Sequence, residues 1–178
     1  MTELLETFRM YVQREMLSRD QCAKLIETVE EAAAWRDYEL APDQVGNAVR
    51  QQLQDLRHPG YRQLHDFSLT FLRRLNAEHW GFVIDGWQQP LRIARYQPGY
   101  RHDWHTDYTG ADASKIAFSM PLNDAYEGGE LQLLESERIE QRAGHAVVFP
   151  AFQGHRVTEV TSGVRYVLLG WLTGPRFV

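Results

Sequence analysis

Apolar residues recur at helical spacing through roughly the first eighty positions, and the pattern changes character near residue 88. Ser18 and Gln21 make a capping-box signature ahead of Cys22, Leu25, Ile26 and Val29, which predicts a first helix. Val45, Val49, Leu53 and Leu56 predict a second helix that ends near His58-Pro59-Gly60. Leu64, Phe67, Phe71, Leu72 and Leu75 share one face of a third. Cys22 and Phe67 on these faces are expected in the core.

From Gly81 onward the chain breaks into short apolar or alternating runs punctuated by Gly, Pro, Asn and Asp. Candidate strands cover 81–84, 91–96, 104–108, 115–120, 130–134, 146–149, 155–160 and 164–172. Many short strands in a row suggest a sandwich or jelly roll, and helices followed by strands is the α+β order. No repeat, low-complexity run or linker divides the chain. The expectation is therefore a single domain over 1–178, with 1–80 mainly helical support and 81–178 the β core.

Composition changes this picture little. Net charge is −5 with both signs dispersed, so neither a nucleic-acid face nor a polybasic membrane anchor is expected. Cys22 is the only cysteine, which excludes an internal disulfide and a cysteine-based zinc site. The opening residues are charged throughout, unlike a signal peptide, and no apolar run reaches the roughly 18 residues of a membrane span. These features predict a cytoplasmic protein that is not membrane-bound, in a reducing compartment.

The chemistry concentrates at Tyr100-Arg-His-Asp-Trp-His105-Thr-Asp107. On a strand, His105 and Asp107 at i and i+2 point to one face and can reach one ion. His-x-Asp alone is a weak signal, and His105 also reads as an ordinary hydrogen-bonded strand histidine. His155 begins a later apolar strand and is the best candidate for a third ligand. Two imidazoles and one carboxylate make a facial triad, the donor set that non-haem Fe(II) oxygenases use because it leaves coordination positions open. His102, three residues before His105, would face away on a regular strand and is read as a rim or supporting residue. His145 reads as a surface or supporting histidine, and Gly128-Gly129 as a turn without the lysine of a phosphate loop. Ser162-Gly163 has no nucleophile-elbow context.

Glu159 to Gly163 reads as a turn, which would put His155 and Arg165 on adjacent antiparallel strands. Arg165 sits inside the apolar run 164–172, so its charge must meet a partner, a cavity or solvent at an edge. Glu130 is one candidate partner, and a dicarboxylate gripped by two parallel hydrogen bonds is another.

Taken in order, Tyr96-x-x-Gly99, His105-x-Asp107, Asn123, Gly128-Gly129-Glu130-Leu131, Gly144 to Phe149, His155 to Trp171 and Gly174-Pro175-x-Phe177 resemble the prolyl 4-hydroxylase-like branch of the Fe(II)/2-oxoglutarate-dependent dioxygenases, in its small bacterial and phage form. The resemblance covers roughly residues 90–178, and more weakly the helices from Leu17. It implies a double-stranded β-helix (jelly roll) with N-terminal helices packed on one sheet. It implies His105, Asp107 and His155 as metal ligands, and Arg165 as the partner of the distal carboxylate of 2-oxoglutarate. Tyr96 is implied as a co-substrate hydrogen bonder and Trp171 as a wall of the substrate pocket. The implied activity is hydroxylation of an unactivated C–H with release of succinate and CO2, using Fe(II), 2-oxoglutarate and O2, with room for ascorbate as reductant. An aspartate at 107, where halogenating relatives have a small residue, favours hydroxylation.

In one respect the chain departs from the pattern. Some relatives place a tyrosine pair just before the position of Leu122-Asn123, where this chain has Met120 and Pro121. Another group, from Lys115 to Met120, must complete the co-substrate site. The substrate stays open between a peptide or protein residue, peptidyl proline among them, and a small molecule. The segments around Arg57–Tyr61, Tyr108–Ser114 and the tail to Val178 are expected to shape its pocket. A metal-dependent hydrolase with the same ligands and a non-catalytic metal-binding jelly roll are the competing readings. Oligomeric state is not legible in the sequence.

Overall fold

The computed structural model describes residues 10–40, 49–108, 113–136 and 138–176. Thirteen strands and two helices run in the order β1 (Val12–Glu15), α1 (Arg19–Ala32), β2 (Arg36–Leu40), β3 (Val49–Asp55), α2 (Arg62–His79), β4 (Gly86–Trp87), β5 (Arg92–Tyr96), β6 (Arg101–His105), β7 (Ser114–Pro121), β8 (Tyr126–Gly128), β9 (Leu131–Leu133), β10 (His145–Pro150), β11 (His155–Val157), β12 (Val160–Gly163) and β13 (Arg165–Thr173). One antiparallel sheet runs β1-β10-β7-β13-β5-β3-β6-β11-β9, with β2 added to β3 and β4 to β13. β12 and β8 form a separate pair.

Strand alternation sorts the side chains into two cores. Ile93, Ile116, Phe118, Met120, Val148, Leu168 and Leu172 point to the helical side and pack with Cys22, Leu25 and Val29 of α1 and Leu72 and Leu75 of α2. Their neighbours Ala94, Tyr96, Ala117, Val147, Phe149 and Val167 point the other way, into the curled interior with Leu53, Leu131 and Val157. Each fully buried large side chain contributes about 1.5–3 kcal/mol, so the helices clamp the outer face while the inner face remains to build a site. This is the α+β jelly roll with helices on one sheet that the sequence implied.

Helix α1 begins where its capping box predicts. Ser18 Oγ accepts from the Gln21 N–H, and Gln21 Oε1 accepts from the Ser18 N–H. Cys22 is fully buried, whereas Phe67 is 48 % exposed on the outer edge of α2 and is not core.

Several expected elements differ. The helix expected from Val45 to Leu56 is absent: Val49–Asp55 is strand β3, central to the sheet, and Val45 lies outside the described residues. Val49, Leu53 and Leu56 fit an i, i+4, i+7 spacing, but Val49, Gln51 and Leu53 are the alternating buried set. A buried glutamine in that set disguised the period. Strands β1 and β2 were likewise unforeseen, so the first eighty residues supply sheet as well as helices. Residues 81–84 are not a strand, because the Asn76 side chain takes both backbone groups of Phe82 that a ladder would use.

The expected 159–163 turn is also absent. After Val157 the chain leaves the main sheet and Val160–Gly163 pairs with Tyr126–Gly128. His155 and Arg165 are therefore not on paired strands: β11 pairs with β6 and β9, whereas β13 pairs with β4, β5 and β7. Among the described residues no helix is long and apolar enough to cross a membrane.

Candidate metal centre and its cavity

His105 closes β6, and β11 lies beside it with His155 directly opposite His105 in register. Asp107 lies two residues past the end of β6, where its N–H donates to the Ala151 carbonyl at 2.9 Å. The strand thus stops short of the 104–108 expected, yet the carboxylate still turns to the same side. Asp107 Oδ1 lies 3.7 Å from His105 Nε2, and Oδ2 lies 3.5 Å from His155 Nε2. One donor atom from each of the three falls within 4.8 Å of the others, the span a single ion needs.

The backbone fixes which imidazole nitrogen faces inward. His105 Nδ1 lies 2.8 Å from the Asp103 carbonyl, and His155 Nδ1 lies 3.0 Å from the Gln153 carbonyl. A carbonyl only accepts, so both Nδ1 atoms carry the proton and both Nε2 lone pairs point at the carboxylate. That is the tautomer and orientation a metal ligand requires. His105 is shifted toward its neutral form, first by burial and then by the charge of His155, with Asp107 opposing.

A third imidazole stands where alternation would not put it. The register slips between His155 and Val157: two steps along β11 match three along β6, from His105 to His102. This extra residue on β6 is a β-bulge, and it turns His102 to the inner face. Its ring stacks on that of His105 with centroids 3.6 Å apart and planes 10° from parallel. Burial, followed by His105 and His155, pushes its pKa down to about 2, so it stays neutral. Sequence reasoning assumed a regular strand and faced His102 away.

These groups open into a cavity of about 360 Å³, also lined by Gln51, Tyr96, Ser119, Phe149, Leu169 and Trp171. Trp171, which the resemblance implied as a wall of the substrate pocket, is among the residues lining this cavity. Of the span 115–120, Phe118 and Ser119 reach the cavity, and Ser119 is the polar one. Tyr38 of β2 and Gln88, Gln89 and Arg92 sit on the same wall. None of these four was singled out from sequence, and the expected Arg57–Tyr61 segment contributes no lining. Of the 108–114 loop and the tail, residues 109–112 and 177–178 lie outside the described residues.

Arg165 is fully buried, next to the Tyr96 that lines this cavity. It opposes Tyr96 across β13 and β5, with the guanidinium carbon 5.2 Å from the centre of the Tyr96 ring. Among the described residues, Nε and both Nη atoms have no hydrogen-bond partner. Glu130, the protein acid considered as a partner, pairs with Arg138 instead. Gly129 makes the space: at φ +59° its Cα lies so close that a Cβ would come within 2.9 Å of Arg165 Cδ. The Tyr96 hydroxyl donates to Gln51 Oε1, and burial raises its pKa to about 12. A buried guanidinium without a partner among the described residues and three converged donor groups are a set that a metal and a dicarboxylate fit.

The comparisons agree. The family model of the 2OG-Fe(II) oxygenase superfamily matches residues 91–173. A PKHD-type hydroxylase of Klebsiella pneumoniae is 31 % identical over 176 residues, covering 92 % of this chain and 78 % of its own length. A PKHD-type hydroxylase of Synechococcus is 26 % identical over 178 residues, covering 91 % and 77 %. The chain belongs to the 2OG-Fe(II) oxygenase superfamily, and its enzyme class is hydroxylase. Among solved structures, a prolyl-4-hydroxylase of Pseudomonas putida matches with TM-score 0.73 at 20 % identity, over 96 % of this chain and 95 % of that one. A prolyl hydroxylase of Trichoplax adhaerens, solved with a hypoxia inducible factor peptide fragment, matches with TM-score 0.76 at 17 % identity, over 95 % and 85 %. These two likenesses speak for the fold.

Proposed function

We propose that His105, Asp107 and His155 hold the Fe(II) and that Arg165 binds the distal carboxylate of 2-oxoglutarate, so that a C–H bond of an amino-acid or peptide substrate is hydroxylated in the cavity beside Trp171. The observation that carries this reading is Arg165, a fully buried guanidinium with no partner among the described residues. An unpaired buried charge costs several kcal/mol, so a site that tolerates one is built for an anion that arrives later. A hydrolase with the same three ligands has no use for it.

When bound, the iron supplies activation of O2 coupled to oxidative decarboxylation of 2-oxoglutarate, which yields succinate and CO2. The residues of this chain do the rest. Both imidazoles turn Nε2 toward the ion because Nδ1 is tied to the backbone. Arg165 fixes the far end of the co-substrate with a guanidinium fork. Ser119, a polar residue of the cavity lining, supports a replacement for the tyrosine contact that Met120 and Pro121 leave out. Tyr96 reaches an oxygen of the co-substrate only by turning its proton away from Gln51, whose amide can then donate back. Phe149, Leu169 and Trp171 keep the site dry.

The relatives named prolyl hydroxylases make a prolyl residue one substrate to try. The single thiol, buried in the helical core, accords with a reducing, cytoplasmic setting. The test is succinate formation from 2-oxoglutarate with Fe(II) and air, with and without ascorbate, on wild type, Arg165→Ala and His155→Ala. Wild type should turn over, His155→Ala should retain no iron, and Arg165→Ala should need far more 2-oxoglutarate. Equal turnover by all three would refute the assignment.

A further inference from the structure

The cavity wall away from the metal carries a charge arrangement that the iron and 2-oxoglutarate do not explain. Arg92 is the one arginine or lysine among the lining residues, and Asp107 is the one carboxylate. Arg92 points inward because it alternates with Ala94 and Tyr96 along β5. It faces Asp55 directly across β5 and β3, and its Nε donates to Asp55 Oδ1 at 2.8 Å. Its Nη2 donates to Gln89 Oε1 at 3.1 Å. Nη1 makes no hydrogen bond among the described residues, and the guanidinium carbon lies 5.9 Å from the centre of the Trp171 ring.

Asp55 does not neutralise this corner, because three guanidiniums share it. Arg36 reaches Oδ2 at 2.9 Å and Arg57 reaches it at 3.2 Å. Three cations against one carboxylate leave two positive charges in excess, in a chain whose net charge is −5. Strand β2 strengthens the arrangement. Its register with β3 puts Arg36 and Tyr38 on the face of Leu53 and Gln51, the cavity face. Asp37 and Glu39 alternate to the opposite face, where Gln52 and Arg50 meet them. Glu30 is engaged by Arg95 and Tyr166 on the helical side. Among the described residues no further acid lines this wall to balance the excess.

Resting on the reading of this cavity as the place where substrate meets the iron, we propose that the substrate carries a carboxylate which docks against Arg92 at the wall between β2 and β5. The Nη1 edge of Arg92 offers one planar donor fork of the size of one carboxylate. Gln88, Gln89 and Tyr38 supply neutral hydrogen bonds around it. The Trp171 ring supports the guanidinium from the side. Asp55 holds Arg92 in place, while Arg36 and Arg57, 65 % and 69 % exposed, draw the anion in from solvent. The carboxylate comes either from an acidic residue beside the reacting one in a peptide or from a free acyl amino acid.

The experiment compares matched acids and amides. Acetyl-prolyl-glutamate amide against acetyl-prolyl-glutamine amide represents the peptide source. N-acetylproline against N-acetylprolinamide represents the free acid. Each is titrated without O2 into protein loaded with Fe(II) and 2-oxoglutarate, read by Trp fluorescence and by calorimetry. One acid should bind at least tenfold more tightly than its amide, and which pair shows this identifies the source. Arg92→Met should remove the preference and Arg92→Lys should restore part of it. Arg36→Ala with Arg57→Ala should weaken the acid severalfold at low salt and little at high salt. Equal binding of acid and amide, binding of none of the four, or a preference that survives Arg92→Met overturns the proposal. Succinate formation by wild type without added substrate reports on the oxygenase reading separately. Its absence sinks that reading, and a missing acid preference beside normal turnover sinks only this one.

Discussion

Arg165 and Tyr96 face each other across β13 and β5, the guanidinium 5.2 Å from the ring centre, and the fold gives the charge no other company among the described residues. The ring face offers a partial counter-charge, but it cannot accept the guanidinium hydrogen bonds. The ligand-free protein is therefore under electrostatic stress at this one position.

Arg165→Met should make that stress visible. Thermal melts without ligand should show the variant at least as stable as wild type, rising by about 2–4 °C for each kcal/mol recovered. Added 2-oxoglutarate should stabilise wild type with metal and leave the variant unmoved. Loss of a buried charged contact costs about 2–5 kcal/mol, so co-substrate affinity should drop by roughly thirtyfold or more. A variant that melts well below wild type without ligand would show that Arg165 is already satisfied.

His102 stacks on His105 at 3.6 Å, so in the proposed site it acts on the metal through that imidazole. His102→Ala should leave the fold intact and weaken Fe(II) or Co(II) affinity by about tenfold, since the His105 ring keeps its Asp103 hydrogen bond but loses its support. His102→Phe should recover most of the loss. Calorimetric metal titration checks this without reference to turnover.

Asp55 gives a pH signature. Burial raises its pKa, but Arg92, Arg36 and Arg57 together outweigh burial and hold the carboxyl below its ordinary 3.8. Because the folded form ionises more readily than the unfolded form, the stabilisation is complete above the unfolded value. It fades as pH falls through the folded one. Asp55→Asn should therefore be less stable than wild type at pH 7, by about 1–3 kcal/mol, with the gap closing in acid. Urea midpoints across pH 2.5–7 measure it, and a gap independent of pH would rule out the ionised pair as its source.

Cys22 is fully buried under α1, and burial raises its pKa to about 11. The thiol should resist alkylation at pH 8 in the native protein and react promptly in denaturant. Labelling at the native rate of an exposed thiol would mean that the contact between α1 and the sheet opens freely.

The legibility of this chain follows the scale of its signals. Helix α1 was readable because Ser18, Gln21 and the apolar face lie within a few residues of each other. His105, Asp107, His155 and Arg165 could be singled out because ligating and charged groups stand out beside apolar runs, and the fold brings donor atoms of the first three within 4.8 Å of one another. Strand β3 was not readable, since Gln51 occupies an inward position that only its bond to Tyr96, 45 residues away, makes tolerable. The inward turn of His102 was hidden for a related reason. A bulge is a mismatch between two strands, and neither strand announces it alone. The cationic wall escaped notice because Arg36, Asp55 and Arg92 meet only through pairing.

The surplus residue in β6 also sets a spacing rule for this chain. Removing one residue between His102 and His105 would return the strand to even alternation and leave the two ligand strands in step. The two imidazoles would then lie two positions apart on a regular strand and still share a face, so the inward turn of His102 needs the bulge only because three positions now separate it from His105.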